Sequence, residues 1–143
     1  MNQLLLAPRP QRAQFSAEQV QAGLLHVEGP TSTPFSSAVN RANGWLQRPR
    51  KATVPVRFEV DDQSEAPPAL DDDESYRLTV SNDGARISAP RLAGARHALT
   101  TLVQISNHCG HLPLGHIEDA PSFPWRGLML DPARRFLSLN ALF

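Results

Sequence analysis

Between Tyr76 and Val103 the spacing of apolar residues changes from two to the helical repeat, and this change limits the fold more than any other part of the sequence. Tyr76, Leu78 and Val80 alternate with Arg77 and Thr79, which puts the three apolar side chains on one face of a strand. Asn82-Asp83-Gly84 is a tight-turn sequence, and Ala85 to Ala89 returns with Ile87 inward, so a hairpin is predicted. After Pro90, Leu92, Ala95, Leu99, Leu102 and Val103 form one helical stripe, with Arg91, Arg96 and Thr100 elsewhere. That helix should fade between Asn107 and Gly110.

The upstream half adds elements of both kinds. Ala52 to Val60 alternates strictly: Val54, Val56, Phe58 and Val60 face one way, and Pro55, Arg57 and Glu59 the other. Pro55 marks an edge strand or a strand margin, because proline cannot donate to a ladder. Thr33-Pro34 reads as an N-cap followed by proline at the first helical position, and Phe35, Ala38, Val39, Ala42, Trp45 and Leu46 make the apolar helix face. Met1 to Val27 is read as short strands, one at Leu4 to Leu6, although Ser16 with Gln19 also fits a capping box. An antiparallel sheet with one face covered by two helices satisfies both periodicities. The expected fold class is therefore an α+β two-layer domain, with a boundary between His111 and Asp119.

Beyond that boundary lies D-A-P-S-F-P-W-R-G-L-M-L-D-P-A-R-R-F, residues Asp119 to Phe136. The prolines signal turns and extended chain. Trp125 to Leu130 is nearly continuously apolar, as in a strand of a parallel sheet, with another strand-like piece around Ile117. Arg126 interrupts the run. Its guanidinium stays charged and needs a carboxylate, carbonyl or ligand oxygen.

The stretch resembles the opening segment of the catalytic (β/α)8 barrel of the family 20 glycoside hydrolases, the exo-β-N-acetylhexosaminidases. Asp119, Pro121, Phe123, Arg126, Gly127, Leu128, Leu130, Asp131, Arg134 and Phe136 fall in register with that family's pattern; Ser122 and Arg135 depart from it. Residues Ser75 to Gln104 look like the last hairpin and helix of the small domain that precedes the barrel. The resemblance implies residues 1–118 as that domain and 119–143 as the start of a truncated barrel, with Arg126 binding hydroxyls of a terminal N-acetylhexosamine. The alternative for Arg126 is an ion pair with Asp131 or another acidic neighbour.

The family's chemistry, as the resemblance implies it, is substrate-assisted: the 2-acetamido carbonyl attacks the anomeric carbon, a glutamate protonates the leaving oxygen, and the preceding aspartate steadies the acetamido group. That Asp-Glu pair belongs to a glycine-containing motif on a later strand. It is absent here, and Asp73-Glu74 matches by spelling only, in an acidic loop. A barrel needs about 250 residues. No catalytic residue is assigned in this chain, which is expected to be inactive alone. The complete enzyme would act on glycans ending in β-N-acetylhexosamine. A stand-alone glycan- or protein-binding module, or a partner completing a separately encoded barrel, are the competing readings.

Charge and composition exclude more than they select. The chain has 143 residues, 41% of them hydrophobic, with a formal net charge of zero. General electrostatic attraction to nucleic acid or to an anionic membrane is therefore not expected. Arg48 to Lys51 is basic, and Asp61 to Glu74 is an acidic stretch around Pro67-Pro68, read as a solvated loop. The single cysteine, Cys109, excludes an intrachain disulfide. Leu4 to Ala7 is too short for a signal-peptide core, so the chain as written reads as cytoplasmic, whereas many relatives are exported.

His108-Cys109-Gly110-His111 with His116 is the nearest approach to a metal site. It lacks the second ligand cluster of structural zinc sites, so no metal and no cofactor is assigned. Trp45 is expected in the core, and Trp125 packed between strand and domain. An unpaired apolar strand from Trp125 to Leu130 should promote self-association.

Overall fold

The computed structural model describes residues 6–29, 33–47 and 51–127, together with positions 129, 131 and 138. Six strands and two helices occur in the order β1 (Arg12–Gln21), β2 (Leu24–Val27), α1 (Thr33–Gly44), β3 (Thr53–Asp62), β4 (Tyr76–Ser81), β5 (Gly84–Arg91), α2 (Leu92–Cys109) and β6 (His111–Asp119). The strands form one sheet in the order β1-β6-β4-β5-β3-β2.

The sheet is mixed, which corrects the antiparallel expectation. β1 with β6, β6 with β4 and β4 with β5 are antiparallel, whereas β3 runs parallel to both β5 and β2. The helices explain the parallel β2–β3 pair and the common direction of β5 and β6. A helix that leaves one strand and returns to the same sheet makes a crossover, and a crossover joins parallel strands. α1 links β2 to its neighbour β3, and α2 links β5 to β6 across β4. Both crossovers step the same way along the sheet, so a single handedness lays both helices on one face. The two-layer α+β architecture is thus as expected, with a different strand pattern inside it.

The core lies between sheet and helices. Leu78 and Ile87 from the hairpin meet Leu99, Leu102 and Ile105 of α2, with Val54, Val56, Leu112 and Ile117 beside them, all buried. Each such aliphatic side chain stabilises the fold by about 1.5–3 kcal/mol relative to exposure. α2 stops where Gly110 takes a left-handed conformation at φ 74° and its N–H bonds Ser106 O at 3.0 Å. That closes the helix and turns the chain straight into β6. The segment from His108 to His111 is therefore a helix exit.

Other local expectations are revised. Ser16 and Gln19 lie in β1, a strand whose register shifts between Phe15 and Gln19, and not in a helix cap. Leu4 and Leu5 lie outside the described residues, and Leu6 belongs to no strand. Pro55 sits in an internal strand, but at its margin: pairing with β5 begins one residue later, at Val56 opposite Ala85. β2 is the edge on that side, and Asn43 covers it. The Asn43 side chain accepts from Leu25 N–H and donates to Leu25 C=O, both at 2.8 Å, which occupies groups that would otherwise invite another strand.

Trp45 falls just beyond the end of α1 and is 51% exposed, not core. Trp125 is 78% exposed, so the expected packing against the domain is not made. Trp125, Arg126, Gly127 and Met129 belong to no strand, and Leu128 and Leu130 lie outside the described residues. A barrel strand is held by its ladder, and among the described residues no partner strand lies beside this segment.

Candidate functional site

Glu74 is the buried acid of the domain, with 7% of its surface exposed. It precedes β4 and shares the inward parity of Tyr76, Leu78 and Val80, so its side chain points toward α2. Ser75 N–H donates to Asp73 Oδ1 at 2.9 Å, a local turn that fixes the approach to the strand. Gly94 lets the helix come close enough to meet it. A Cβ on Gly94 would lie 2.2 Å from Ser75 O and 3.0 Å from Glu74 O. One helical turn on, His97 Nε2 is 2.8 Å from Glu74 Oε2.

Arg126 completes the cluster. Its Nη2 reaches Glu74 Oε1 at 2.7 Å and Oε2 at 2.6 Å, and its Nη1 donates to the carbonyl of Phe123. The last bond closes a turn within Arg126's own segment. The arginine and histidine side chains are 41% and 39% exposed, so the cluster has a wet rim and a dry centre at the carboxylate. Burial on its own would raise the Glu74 pKa; the hydrogen bonds and charges of Arg126 and His97 outweigh it and hold the carboxyl below the usual glutamate range.

A cleft of about 360 Å³ opens beside this cluster, lined by Tyr76, His97, Thr101, Asp119, Phe123 and Arg126. Tyr76 OH and Thr101 Oγ1 are hydrogen-bonded at 2.7 Å, and Tyr76 OH lies 3.4 Å from Asp119 Oδ2. Burial and the neighbouring aspartate keep the phenol neutral, its pKa pushed up to about 12. Asp119 Oδ1 accepts from Gln11 N–H at 3.1 Å, and Gln104 makes two 3.0 Å bonds to the backbone of Ala7. The chain on both sides of the cleft is therefore tied to α2 and β6.

The structure brings together Asp119, Phe123 and Arg126 from the sequence motif; Asp131 is described as exposed, and Arg134 lies outside the described residues. Glu74 and His97 are additions. Parity with the following strand is the signal that marks Glu74 as inward. Chemically, a carboxylate held charged by an arginine is a poor proton donor at neutral pH. Cys109 is no better as a nucleophile, since burial raises its thiol pKa.

The opposite face of the sheet carries paired charges: Glu28 with Arg57 at 2.7 Å, Glu59 with Arg86 at 3.0 Å, and Glu118 with Arg77. Such exposed pairs contribute little stability.

Comparison with known proteins places the fold. The pattern of a family described as "beta-acetyl hexosaminidase like" matches residues 6–105. A beta-hexosaminidase of Emericella nidulans is 41% identical over 124 residues, covering 80% of this chain and 20% of that protein. The structure of a Flavobacterium johnsoniae chitobiase superposes with a TM-score of 0.69 at 25% identity, covering 93% of this chain and 23% of the other. An exo beta-N-acetylglucosaminidase from Vibrio harveyi, solved with N-acetylglucosamine, gives a TM-score of 0.65 at 28% identity over 93% of this chain and 21% of its own. The chain thus spans about a fifth of the length of these relatives.

Proposed function

Because the chain belongs to the beta-acetyl hexosaminidase-like family, as an N-terminal domain of glycoside hydrolase family 20 type, we propose that it is the non-catalytic support for a barrel that removes terminal β-N-acetylhexosamine from glycans. Residues 1–118 form the support and 119–143 open the barrel. The observation that carries this reading is the family match over residues 6–105 in a chain that covers 20% of a beta-hexosaminidase relative. The absence of a glycine-flanked Asp-Glu pair from the sequence agrees with it. Hydrolysis belongs to the complete enzyme.

Sugar binding and ion pairing compete for the one guanidinium of Arg126. Its contacts with both oxygens of Glu74 favour the ion pair, and a sugar hydroxyl would have to replace a charge-assisted bond. The exposed Phe123, Trp125 and Met129 supply an apolar surface for self-association of the isolated chain.

The test is an assay with an aryl β-N-acetylglucosaminide. The purified chain should give no turnover, and a polypeptide continuing through a downstream barrel should give it. Turnover by the 143-residue chain that vanished with Arg126→Ala would overturn the proposal.

A further inference from the structure

We propose that Asn43 is a site of spontaneous modification by water, in which its side-chain amide becomes a carboxylate and the clamp that α1 holds on the edge strand β2 is lost. The proposal does not depend on the proposed function.

Sequence and fold both point to this residue. Of the asparagines in the chain, only Asn43 is followed by glycine. The reaction starts when the backbone nitrogen of the next residue attacks the side-chain carbon, and a residue without Cβ permits that approach and the backbone rotation it needs. A Cβ at Gly44 would meet nothing within 4 Å, and Gly44 is exposed, so neither water nor the moving peptide is obstructed. The pair also ends α1, where Trp45 N–H bonds Ala42 C=O at 3.0 Å and Leu46 N–H bonds Asn43 C=O at 3.2 Å. Helix ends of this kind open at little cost.

The Gly44 nitrogen gives its proton to hydroxide and forms a bond to Asn43 Cγ. The bond from Cγ to Nδ2 breaks, and the leaving nitrogen takes a proton from water and departs as ammonia. Water then adds to either carbonyl of the cyclic imide and opens it, giving aspartate or the isomer whose main chain runs through Cγ. Water is consumed and ammonia released, with no change of oxidation state.

The fold restrains this reaction and is altered by it. Asn43 Oδ1 accepts from Leu25 N–H and Nδ2 donates to Leu25 C=O, each at 2.8 Å, and both bonds must open before Cγ can turn toward Gly44. In the product an oxygen replaces the donor, so an acceptor faces the Leu25 carbonyl in a half-buried site. β2 is then held to the domain by its ladder with β3, without the helix.

The test is ageing of the folded 143-residue chain at mildly alkaline pH, followed by tryptic mapping, with an unaged sample digested alongside. The informative peptide runs from Ala42 to Arg50, because Arg48 precedes proline and resists cleavage. Acid should appear at position 43 about five- to a hundredfold more slowly than in the free peptide, since two hydrogen bonds hold the amide closed. Gly44→Ala, which the open space accommodates, should stop it. The deamidated fraction, separated by ion exchange, should melt about 3 °C or more below the unaged chain, and Asn43→Asp should reproduce that loss. A rate outside the stated window, unchanged acid formation in Gly44→Ala, or a deamidated fraction with the Tm of the unaged chain overturns the proposal whatever the glycosidase assay shows.

Discussion

Gly94→Ala sets two opposing effects against each other at one atom. Alanine is favoured over glycine inside a helix by about 1 kcal/mol, and Gly94 lies in the first turn of α2. The new methyl, however, would stand 2.2 Å from Ser75 O, 3.0 Å from Glu74 O and 3.2 Å from the Ala89 methyl. An ordinary Cβ contact begins at 3.4 Å, so helix and strand must separate by about 1 Å. Both obstructing oxygens are backbone. Ser75 leads directly into β4, where Tyr76 pairs with Asp119 of β6, and neither side yields by rotating a side chain. Overpacking of this kind costs about 1–3 kcal/mol, and a backbone obstruction belongs in the upper part of that range.

The net expectation is a loss of about 1–2 kcal/mol, or a fall in Tm of about 3–8 °C for a domain of this size. Thermal unfolding followed by circular dichroism measures it. Gly44→Ala provides the matched control, since a Cβ there meets nothing within 4 Å; it should leave Tm unchanged or raise it. A Gly94→Ala protein at or above wild-type Tm would refute the close-approach argument.

Leu78→Ala removes a fully buried side chain from the centre of the hairpin and should cost about 2–5 kcal/mol in urea unfolding; a loss below about 1 kcal/mol would mean that the layers close over the gap. Tyr76→Phe deletes the bond to Thr101 and should cost about 1 kcal/mol at neutral pH. Because the folded Tyr76 pKa is raised to about 12, its contribution is complete below the usual tyrosine value of about 10 and is lost as pH rises through about 12. Wild-type Tm should therefore fall more steeply than that of Tyr76→Phe across this window, and parallel curves would sink the assignment. Glu74 has the opposite sign: its folded pKa is lowered, so its contribution is present above the ordinary glutamate range and disappears as pH falls through the lowered value. Acid titration of Glu74→Gln should show a shallower loss than wild type, and identical acid transitions would argue against the charged cluster.

Local interactions are legible in the sequence, and distant ones are not. The alternation of Tyr76, Leu78 and Val80, the Asn82-Asp83-Gly84 turn and the stripe from Leu92 to Val103 are properties of neighbouring residues, and each appears in the structure where the pattern places it. Alternation tells which face a side chain takes but not which strand lies beside it. The parallel placement of β3 between β2 and β5 is therefore invisible to it; the α1 crossover implies only that β2 and β3 are parallel. β1 is obscured because it is an exposed, polar edge strand whose sequence, R-A-Q-F-S-A-E-Q-V-Q, buries little. The same limit applies to the site. Arg126 is legible as a residue requiring a partner, and an acidic neighbour is one of its alternatives, but Glu74 reads as part of a solvated loop. The loop between β3 and β4 is mostly exposed, with Asp72 partly buried against Arg91; Glu74, its last acid, is buried because the strand's parity has already begun.

The placement of β6 has a temporal side. It pairs with β1 on one flank and β4 on the other, so among the six described strands β1, the first in sequence, has no ladder partner until β6, the last of them, inserts beside it. At ordinary elongation rates of about 5–20 residues per second, the nascent β1 waits roughly 5 to 20 s for β6. During that interval the hairpin and α2 can assemble while the first strand stays unpaired. The sheet is thus closed late in synthesis, by the strand that leads into the segment carrying Arg126, and a ribosome that pauses just before His111 would hold it open.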